Sequence, residues 1–90
     1  MTVTVYTLPA CAQCQMTKKQ LVAHQIPYRE VRLDVAGHAR ERLRELGYAT
    51  APVVETPTGE LWGGFRIERI RAYAETLSDP AAYPIPGPRW

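Results

Sequence analysis

Apolar and polar residues alternate along two stretches of the chain, and two shorter apolar stretches flank a turn that contains proline and glycine. Alternation with β-branched residues is typical of half-buried strands. The turn at residues 56–59 predicts a hairpin between the two shorter stretches. We therefore expect four strands, over residues 2–7, 28–33, 52–55 and 60–63.

Segments in which apolar residues recur with helical spacing lie between and after these strands. The first helix places Cys14, Thr17 and Leu21 on one face, with two lysines mostly outward. The second helix is polar, and we expect its arginines and glutamates to form a solvated face with weak pairs three and four positions apart. The order of elements predicts an α/β sheet with parallel pairing in its first half. We expect the three helices over residues 11–24, 38–46 and 67–77.

The length and charge of the chain limit its function class. Ninety residues are enough for one small domain with its own core. A net charge of +2 with interspersed signs does not indicate binding to nucleic acid or to a membrane surface. No run approaches the about 20 apolar residues that span a bilayer. The first residues enter a strand pattern directly, without the segments of a secretory leader, so we expect a cytoplasmic location. We also expect a monomer.

The composition changes near the end of the chain. Proline cannot continue a helix or a central strand. We therefore expect a domain at residues 1–78 and a proline-rich, mobile tail at residues 79–90, with docking of the tail through Tyr83, Ile85 and Trp90 as the alternative. The prolines of this stretch are Pro80, Pro84, Pro86 and Pro88.

Cys11 and Cys14, the two cysteines of the chain, stand where the first strand gives way to the first helix. A helix N-terminus presents unpaired N–H groups and a positive dipole end, which favour the nucleophilic thiolate. Positions i and i+3 share a helix face, so the two sulfurs can form and break a disulfide. We expect Cys11 to attack and Cys14 to resolve. A C-x-x-C in this setting is typical of a thioredoxin-like redox motif.

The alternative for the two cysteines is a structural role or half of a metal site. A zinc site needs about four ligands. The two histidines, His24 and His38, lack finger spacing and are expected at the surface. We therefore expect no metal and no cofactor, and in a reducing compartment the cysteine pair would cycle rather than crosslink the fold.

Several stretches match one protein family, and the most discriminating is Trp62-Gly63-Gly64-Phe65-Arg66. On these residues the chain resembles the glutaredoxin-sized thioredoxin-fold proteins and, within them, the NrdH-redoxins. The resemblance covers residues 1–77. It implies a thioredoxin fold of minimal, glutaredoxin-like form, in which three helices flank a four-stranded mixed sheet. The other matching stretches are residues 2–7, 9–11, 13–14, 46–48 and 51–54.

The resemblance implies a dithiol–disulfide oxidoreductase that donates electrons to class Ib ribonucleotide reductase and is reduced by thioredoxin reductase with NADPH. Cys11 would attack a disulfide of the ribonucleotide reductase, and Cys14 would resolve the mixed disulfide. A cis bond before Pro52, where trans is the generic expectation, would bring the Ala51 backbone beside Cys11 to pair with a substrate strand. The implied partner-binding residues are Pro9, Ala12, Gln13, Ala51, Pro52, Trp62, Gly63, Gly64, Phe65 and Arg66.

Other functions remain open. In glutathione-dependent glutaredoxins, polar or acidic residues follow the glycine pair and hold the amine of glutathione. Phe65 and Arg66 follow here and offer nothing to an ammonium group, which argues against glutathione as the reductant. A redox-switched binding module would form the disulfide without reducing substrates, and an iron–sulfur carrier is a weaker third option. Core packing is the alternative role for Trp62 and Phe65, and the expected role for Tyr6 and Tyr48.

Overall fold

The computed structural model describes residues 2–77. The predicted tail and the domain boundary after residue 78 lie outside the described residues. No helix among residues 2–77 is long and apolar enough to cross a membrane. Strands and helices follow each other in the predicted order, with ends within about one residue of those expected. They are β1 (Val3–Thr7), α1 (Ala12–Ala23), β2 (Tyr28–Arg32), α2 (Gly37–Glu45), β3 (Val53–Glu55), β4 (Leu61–Gly63) and α3 (Ile67–Leu77).

The strands form one mixed sheet in the order β2-β1-β3-β4. β1 and β2 are parallel, as expected for strands joined through helix α1, and their register pairs Val5 with Glu30. β3 is antiparallel to both β1 and β4, and the pair of Val54 with Trp62 lies in the predicted hairpin. The predicted α/β class and the four-stranded mixed sheet with three helices are confirmed.

One face of the sheet, called here the two-helix face, is covered by α1 and α3. Its buried cluster consists of aliphatic and aromatic side chains, and each fully buried aliphatic side chain contributes about 1.5–3 kcal/mol. Tyr28, Phe65 and Ala74 pack half-buried around it. The buried members are Val3, Val5, Leu21, Ile26, Val54, Trp62, Ile70 and Tyr73.

The opposite face, called here the one-helix face, is covered by α2. Tyr6, Leu33, Leu43 and Val53 form its buried cluster, and α2 contributes Leu43. Among residues 2–77, five half-buried side chains surround these four buried ones, against three around eight on the two-helix face, so the one-helix face excludes less water. These side chains are Leu8, Val31, Ala39, Tyr48 and Leu61.

A polar contact fixes α2 to the sheet. Arg42 donates to Glu55 on β3 through two nitrogens, at 3.1 and 2.9 Å. Tyr6 on β1 donates its hydroxyl to Glu55 Oε1 at 2.8 Å. The prediction that the arginines of this helix would pair weakly within the helix is therefore wrong for Arg42, because the sheet offers a carboxylate that two donors share.

Candidate redox site

A disulfide joins Cys11 and Cys14 at the start of α1, with Cα atoms 5.2 Å apart. Cys11 is the N-cap residue, with an extended backbone (φ −111°, ψ 106°), and Cys14 lies in the first turn. Cys14 is 1% exposed, whereas Cys11 is half-buried. An incoming disulfide can therefore reach Cys11 but not Cys14.

The first turn of α1 is an electropositive setting for the sulfur of Cys11. The backbone N–H of Cys14 donates to Cys11 Sγ at 3.1 Å, so this sulfur acts as the helix cap. The first turn of α1 contains no acidic residue that would offset the positive end of the helix dipole. After reduction, these groups stabilise negative charge on Cys11 and favour its thiolate form.

A tight turn leads from β1 into α1 and leaves an accessible rim around Cys11. Ala10 has a φ of 57°, in the left-handed region that a residue with a side chain adopts infrequently. Pro9 and Ala10 on one side of Cys11 are exposed, as are Ala12 and Gln13 on the other side. The rim thus includes three of the residues to which the family resemblance assigns partner binding.

The loop before β3 and the end of β4 meet beside this rim. The Ala51–Pro52 peptide bond is cis, as the resemblance implied. The N–H of Gly64 donates to the carbonyl oxygen of Pro52 at 2.8 Å. Gly64 has a φ of 81°, which favours glycine, and a Cβ atom there would lie 3.9 Å from Gln13 Oε1. Segments far apart in sequence therefore converge at Gln13 of this rim.

Trp62 and Phe65 pack in the core. Trp62 is 4% exposed, and Phe65 lies half-buried against the same apolar cluster. The guanidinium carbon of Arg69 lies 5.3 Å from the centroid of the Trp62 ring, in a cation–π contact. Packing accounts for both aromatic side chains, so a partner would meet Trp62 through its backbone.

Gly63 and Arg66 complete the segment after β4. A Cβ atom at Gly63 would lie 3.1 Å from Cδ1 of Tyr48, so glycine permits the close approach of that ring. Tyr48 is half-buried and donates its hydroxyl to the carbonyl of Leu61 at 3.3 Å, consistent with the predicted packing role. Arg66 is exposed, and its Nε donates to Glu68 Oε2 at 2.9 Å. Arg66 is therefore the charged group of this segment that a partner can reach.

A polar network that the sequence did not reveal attaches α1 to the sheet, one turn beyond Cys14. Thr7, 2% exposed, donates its hydroxyl to Glu30 Oε2 at 2.7 Å. Lys18 Nζ lies 3.2 Å from both oxygens of Glu30, so this lysine is less outward than predicted. The Thr7 hydroxyl, with a smaller effect of Lys18, holds the pKa of Glu30 below its ordinary 4.5 against the effect of burial. The sequence signal for this network was the alternation of β1 and β2, which puts Thr7 and Glu30 on one face of the sheet.

No cluster of three or more His, Cys, Asp or Glu side chains within residues 2–77 is arranged to hold a metal ion. His38 is exposed and His24 is half-buried. The reactive group that the rim presents is the sulfur of Cys11, with Cys14 buried behind it.

Comparison with known protein sequences agrees with this geometry. A family model described as glutaredoxin matches residues 3–61. The glutaredoxin-like protein NrdH of Lactococcus lactis subsp. cremoris (strain MG1363) is 39% identical over 72 residues, which cover 80% of this chain and 99% of that protein. The protein of the same name in Escherichia coli (strain K12) is 35% identical over 71 residues, which cover 78% and 85%.

Solved structures show the same similarity. The glutaredoxin-like protein NrdH-redoxin from Escherichia coli superposes with a TM-score of 0.76 at 28% identity, covering 98% of this chain and 100% of that one. The thioredoxin-like protein BC3987 superposes with a TM-score of 0.70 at 31% identity, covering 78% and 96%. The chain therefore belongs to the glutaredoxin family, among the NrdH glutaredoxin-like proteins, and is a thiol–disulfide redox protein with a thioredoxin fold.

Proposed function

We propose that this protein is a cytoplasmic dithiol–disulfide oxidoreductase that carries electrons from thioredoxin reductase and NADPH to class Ib ribonucleotide reductase. One observation carries the chemistry: Cys11 is accessible at the N-cap of α1, whereas Cys14 is 1% exposed behind it. This difference in accessibility supports attack by Cys11 and resolution by Cys14. Residues 1–78 form the redox domain in this proposal.

The cycle transfers two electrons and needs no bound cofactor. The Cys11 thiolate attacks one sulfur of the substrate disulfide, the substrate S–S bond breaks, and the leaving thiolate takes up a proton. The Cys14 thiol then loses its proton and attacks Cys11 Sγ in the mixed disulfide. The second substrate thiolate leaves and is protonated, so the substrate is reduced and the Cys11–Cys14 disulfide is formed. Thioredoxin reductase returns two electrons and two protons to the pair.

The rim around Cys11 supplies the binding surface in this proposal. Pro9, Ala12 and Gln13 flank the sulfur, and the half-buried Ala51 offers a backbone edge next to Pro52. A substrate strand that pairs with this edge holds its disulfide against Cys11. The remaining surface comes from the segment after β4, namely Trp62 through its backbone, Gly63, Gly64, Phe65 and Arg66.

Three observations favour thioredoxin reductase over glutathione as the electron source. Phe65 packs on the core and Arg66 is a cation, so neither offers a partner for the ammonium group of glutathione. The carboxylate of Glu68 is already bonded to Arg66, at 2.9 Å. The Escherichia coli NrdH-redoxin, to which the fold is similar, is described as having a thioredoxin-like activity profile.

The test measures NADPH oxidation with a protein disulfide as substrate. One reaction contains thioredoxin reductase, and the other contains glutathione with glutathione reductase. Turnover in the first alone supports the proposal, and an assay of ribonucleotide reduction by the class Ib enzyme then tests the acceptor. Turnover in the second alone makes the protein a glutathione-dependent glutaredoxin. Disulfide formation without turnover in either reaction indicates the redox-switched binding module.

Two variants test the roles of the cysteines. Cys14→Ser traps the mixed disulfide between Cys11 and the substrate, which appears as a covalent adduct that dithiothreitol releases. Cys11→Ser abolishes reductase activity because the remaining thiol is buried. Full activity of Cys11→Ser would show that the attacking thiol is not Cys11.

A further inference from the structure

A surface groove lies between α1 and the neighbouring edge of the sheet. It encloses about 310 Å³ and is lined by Gln15, Lys18, Lys19, Val22 and Tyr28. The two lysines of the chain both lie in this groove. Val22 is 64% exposed and Tyr28 is half-buried, so apolar surface adjoins the cationic groups. The groove therefore suits a segment that carries both apolar and charged side chains.

The backbone of β2 beside the groove has a free edge. In the part of the chain that the structure describes, β2 is outermost in the sheet and pairs with β1 along its other edge. Leu33 N–H donates to the carbonyl of Thr7 at 2.8 Å, and the alternation of a parallel ladder then turns the backbone groups of Tyr28 and Glu30 away from β1. An unpaired strand edge is a template for an added extended segment.

The charges around the groove favour an acidic segment. The acidic side chain next to it, Glu30, is bonded to Lys18 at 3.2 Å. At the far end of β2, Arg32 and Asp34 form a pair of their own at 2.6 Å. Lys19 is exposed and provides the excess positive charge. A carboxylate placed in the groove meets this lysine without facing an unpaired acidic group of the lining.

We propose that this groove docks an acidic, extended segment of the protein whose disulfide is reduced at Cys11. This inference rests on the proposed function and adds a class of substrate to it. The segment pairs with the backbone of Tyr28 and Glu30, lays an apolar side chain on Val22, and places a carboxylate at Lys19.

Helix geometry sets the distance between the two points of attachment. Lys19 follows Cys11 by eight positions. At 1.5 Å of rise per residue, this separation is about 12 Å along α1. An extended segment advances about 3.3 Å per residue, so about four residues separate the reacting cysteine from the carboxylate.

Synthetic peptides test this arrangement without a reductase. Each peptide has one central cysteine in a mixed disulfide with thionitrobenzoate, and either glutamates or glutamines at the third to fifth positions on both sides. The fully reduced protein releases thionitrobenzoate, which is followed by absorbance. We expect the glutamate peptide to react about 3–10-fold faster at low salt, and about 0.5 M NaCl to remove most of this preference.

Matched variants connect the preference to the groove. Lys19→Glu should abolish or reverse the preference for the glutamate peptide, whereas Arg71→Glu, an equal change of charge on α3, should retain it. Val22→Ser should slow the reaction of a peptide with a leucine next to its glutamates, and Val35→Ser, at a site 78% exposed in the loop before α2, should not.

The outcomes separate the docking surface from the redox function. Equal rates for the glutamate and glutamine peptides, or equal effects of Lys19→Glu and Arg71→Glu, overturn the docking proposal and leave the redox function intact. Reduction of neither peptide overturns both, because docking presupposes a reaction at Cys11. A preference that Lys19→Glu alone removes supports the groove.

Discussion

The two faces of the sheet are held in different ways. Helices of twelve and eleven residues, α1 and α3, cover the two-helix face, where eight aliphatic and aromatic side chains form the buried cluster. A nine-residue helix, α2, covers the one-helix face, where Leu43 is buried and Arg42 bonds to a carboxylate of the sheet. In the part of the chain that the structure describes, each layer thus has one charged contact with the sheet, Lys18 with Glu30 and Arg42 with Glu55, but the two-helix face removes the larger apolar area from water.

The difference shows which face must be rigid for the chemistry. Cys14, Thr17 and Leu21 are the buried residues of α1, so the helix that carries both sulfurs packs on the two-helix face. Changes in pH and salt act strongly on ion pairs and weakly on apolar packing. Because the apolar cluster under α1 is the larger one, the position of the cysteines should depend less on pH and salt than the position of α2 does.

The largest effect comes from shortening a buried side chain on each face. Ile70→Ala should lower the free energy of unfolding by about 3–4 kcal/mol, because Ile70 is 0% exposed among large neighbours that cannot close the cavity. Leu43→Ala should cost about 2–3 kcal/mol, because half-buried neighbours can move into the space. Urea unfolding of the oxidised proteins measures both losses. A larger loss for Leu43→Ala would contradict the comparison.

The next-largest effect is expected on the pH dependence of stability, through the contact between α2 and the sheet. Hydrogen bonding to Arg42 is the main cause that lowers the pKa of Glu55 below its ordinary 4.5 in the folded state, with burial opposing it. Glu55 therefore stabilises the fold above pH 4.5, and this contribution is lost as the pH falls through the lowered pKa.

Glu55→Gln should cost about 1 kcal/mol at pH 7 and flatten the loss of stability in acid. Glu45→Gln, on the same side of the sheet at the end of α2, is the control and should leave the acid profile unchanged. Unfolding midpoints between pH 3 and 7 measure the effect. Parallel acid profiles for Glu55→Gln and the unchanged protein would show that the contact with Arg42 contributes nothing.

A smaller effect is expected on the loss of stability in alkaline solution, to which one buried tyrosine on each face contributes. Burial is the main cause that raises the pKa of Tyr6 and of Tyr73 above the ordinary 10.0, and hydrogen bonding to Glu55 adds to it for Tyr6. Each group stabilises the fold below pH 10, and this contribution is lost as the pH rises through the raised pKa.

Tyr6→Phe should cost about 0.5–1 kcal/mol at pH 7, because Glu55 loses a donor, and should reduce the alkaline loss of stability. Tyr73→Phe should reduce the alkaline loss at a smaller cost near neutral pH. Ultraviolet titration of the phenols and unfolding at pH 7 separate the two effects. Ordinary titration of Tyr6 would refute its raised pKa.

The smallest effect is expected at exposed ion pairs. Arg32→Gln and Glu68→Gln remove one partner of the pairs with Asp34 and Arg66. Each of these pairs joins residues two positions apart and attaches no helix to the sheet, so neither change should shift the urea midpoint beyond the error of the measurement. A clear shift for either variant would show that exposed pairs matter as much as the contact of Arg42 with Glu55.

The order of elements and the cysteine motif could be predicted from the sequence because their signals are local. Alternation marks β1 and β2, helical spacing marks α1 and α3, and the Cys11–Cys14 spacing at a strand–helix junction indicates thiol chemistry. The cis bond before Pro52 could be expected only from the resemblance, because X-Pro bonds in general are trans.

Contacts between distant segments could not be predicted in this way. Arg42 bonds to Glu55 across thirteen positions, and a helix of arginines and glutamates contains no mark of which one the sheet will bind. Alternation can place Thr7 and Glu30 on one face of the sheet, but their contact across 23 positions also requires the register of β1 with β2. The sequence left both core packing and partner binding open for Trp62, because the burial of its ring depends on which face of the sheet α3 covers. Each of these features follows from register and layer order, which the whole fold determines.

The hydrogen bond from the Cys14 amide to Cys11 Sγ, at 3.1 Å, makes the stability of the helix cap depend on the oxidation state of the cysteine pair. When Cys11 changes from a disulfide sulfur to a thiolate, the same amide donates to a full negative charge, and charge-assisted bonds are the stronger ones. The first turn of α1 therefore gains stability when the protein carries its two electrons. Hydrogen exchange at the Cys14 amide should therefore be slower in the reduced protein than in the oxidised protein.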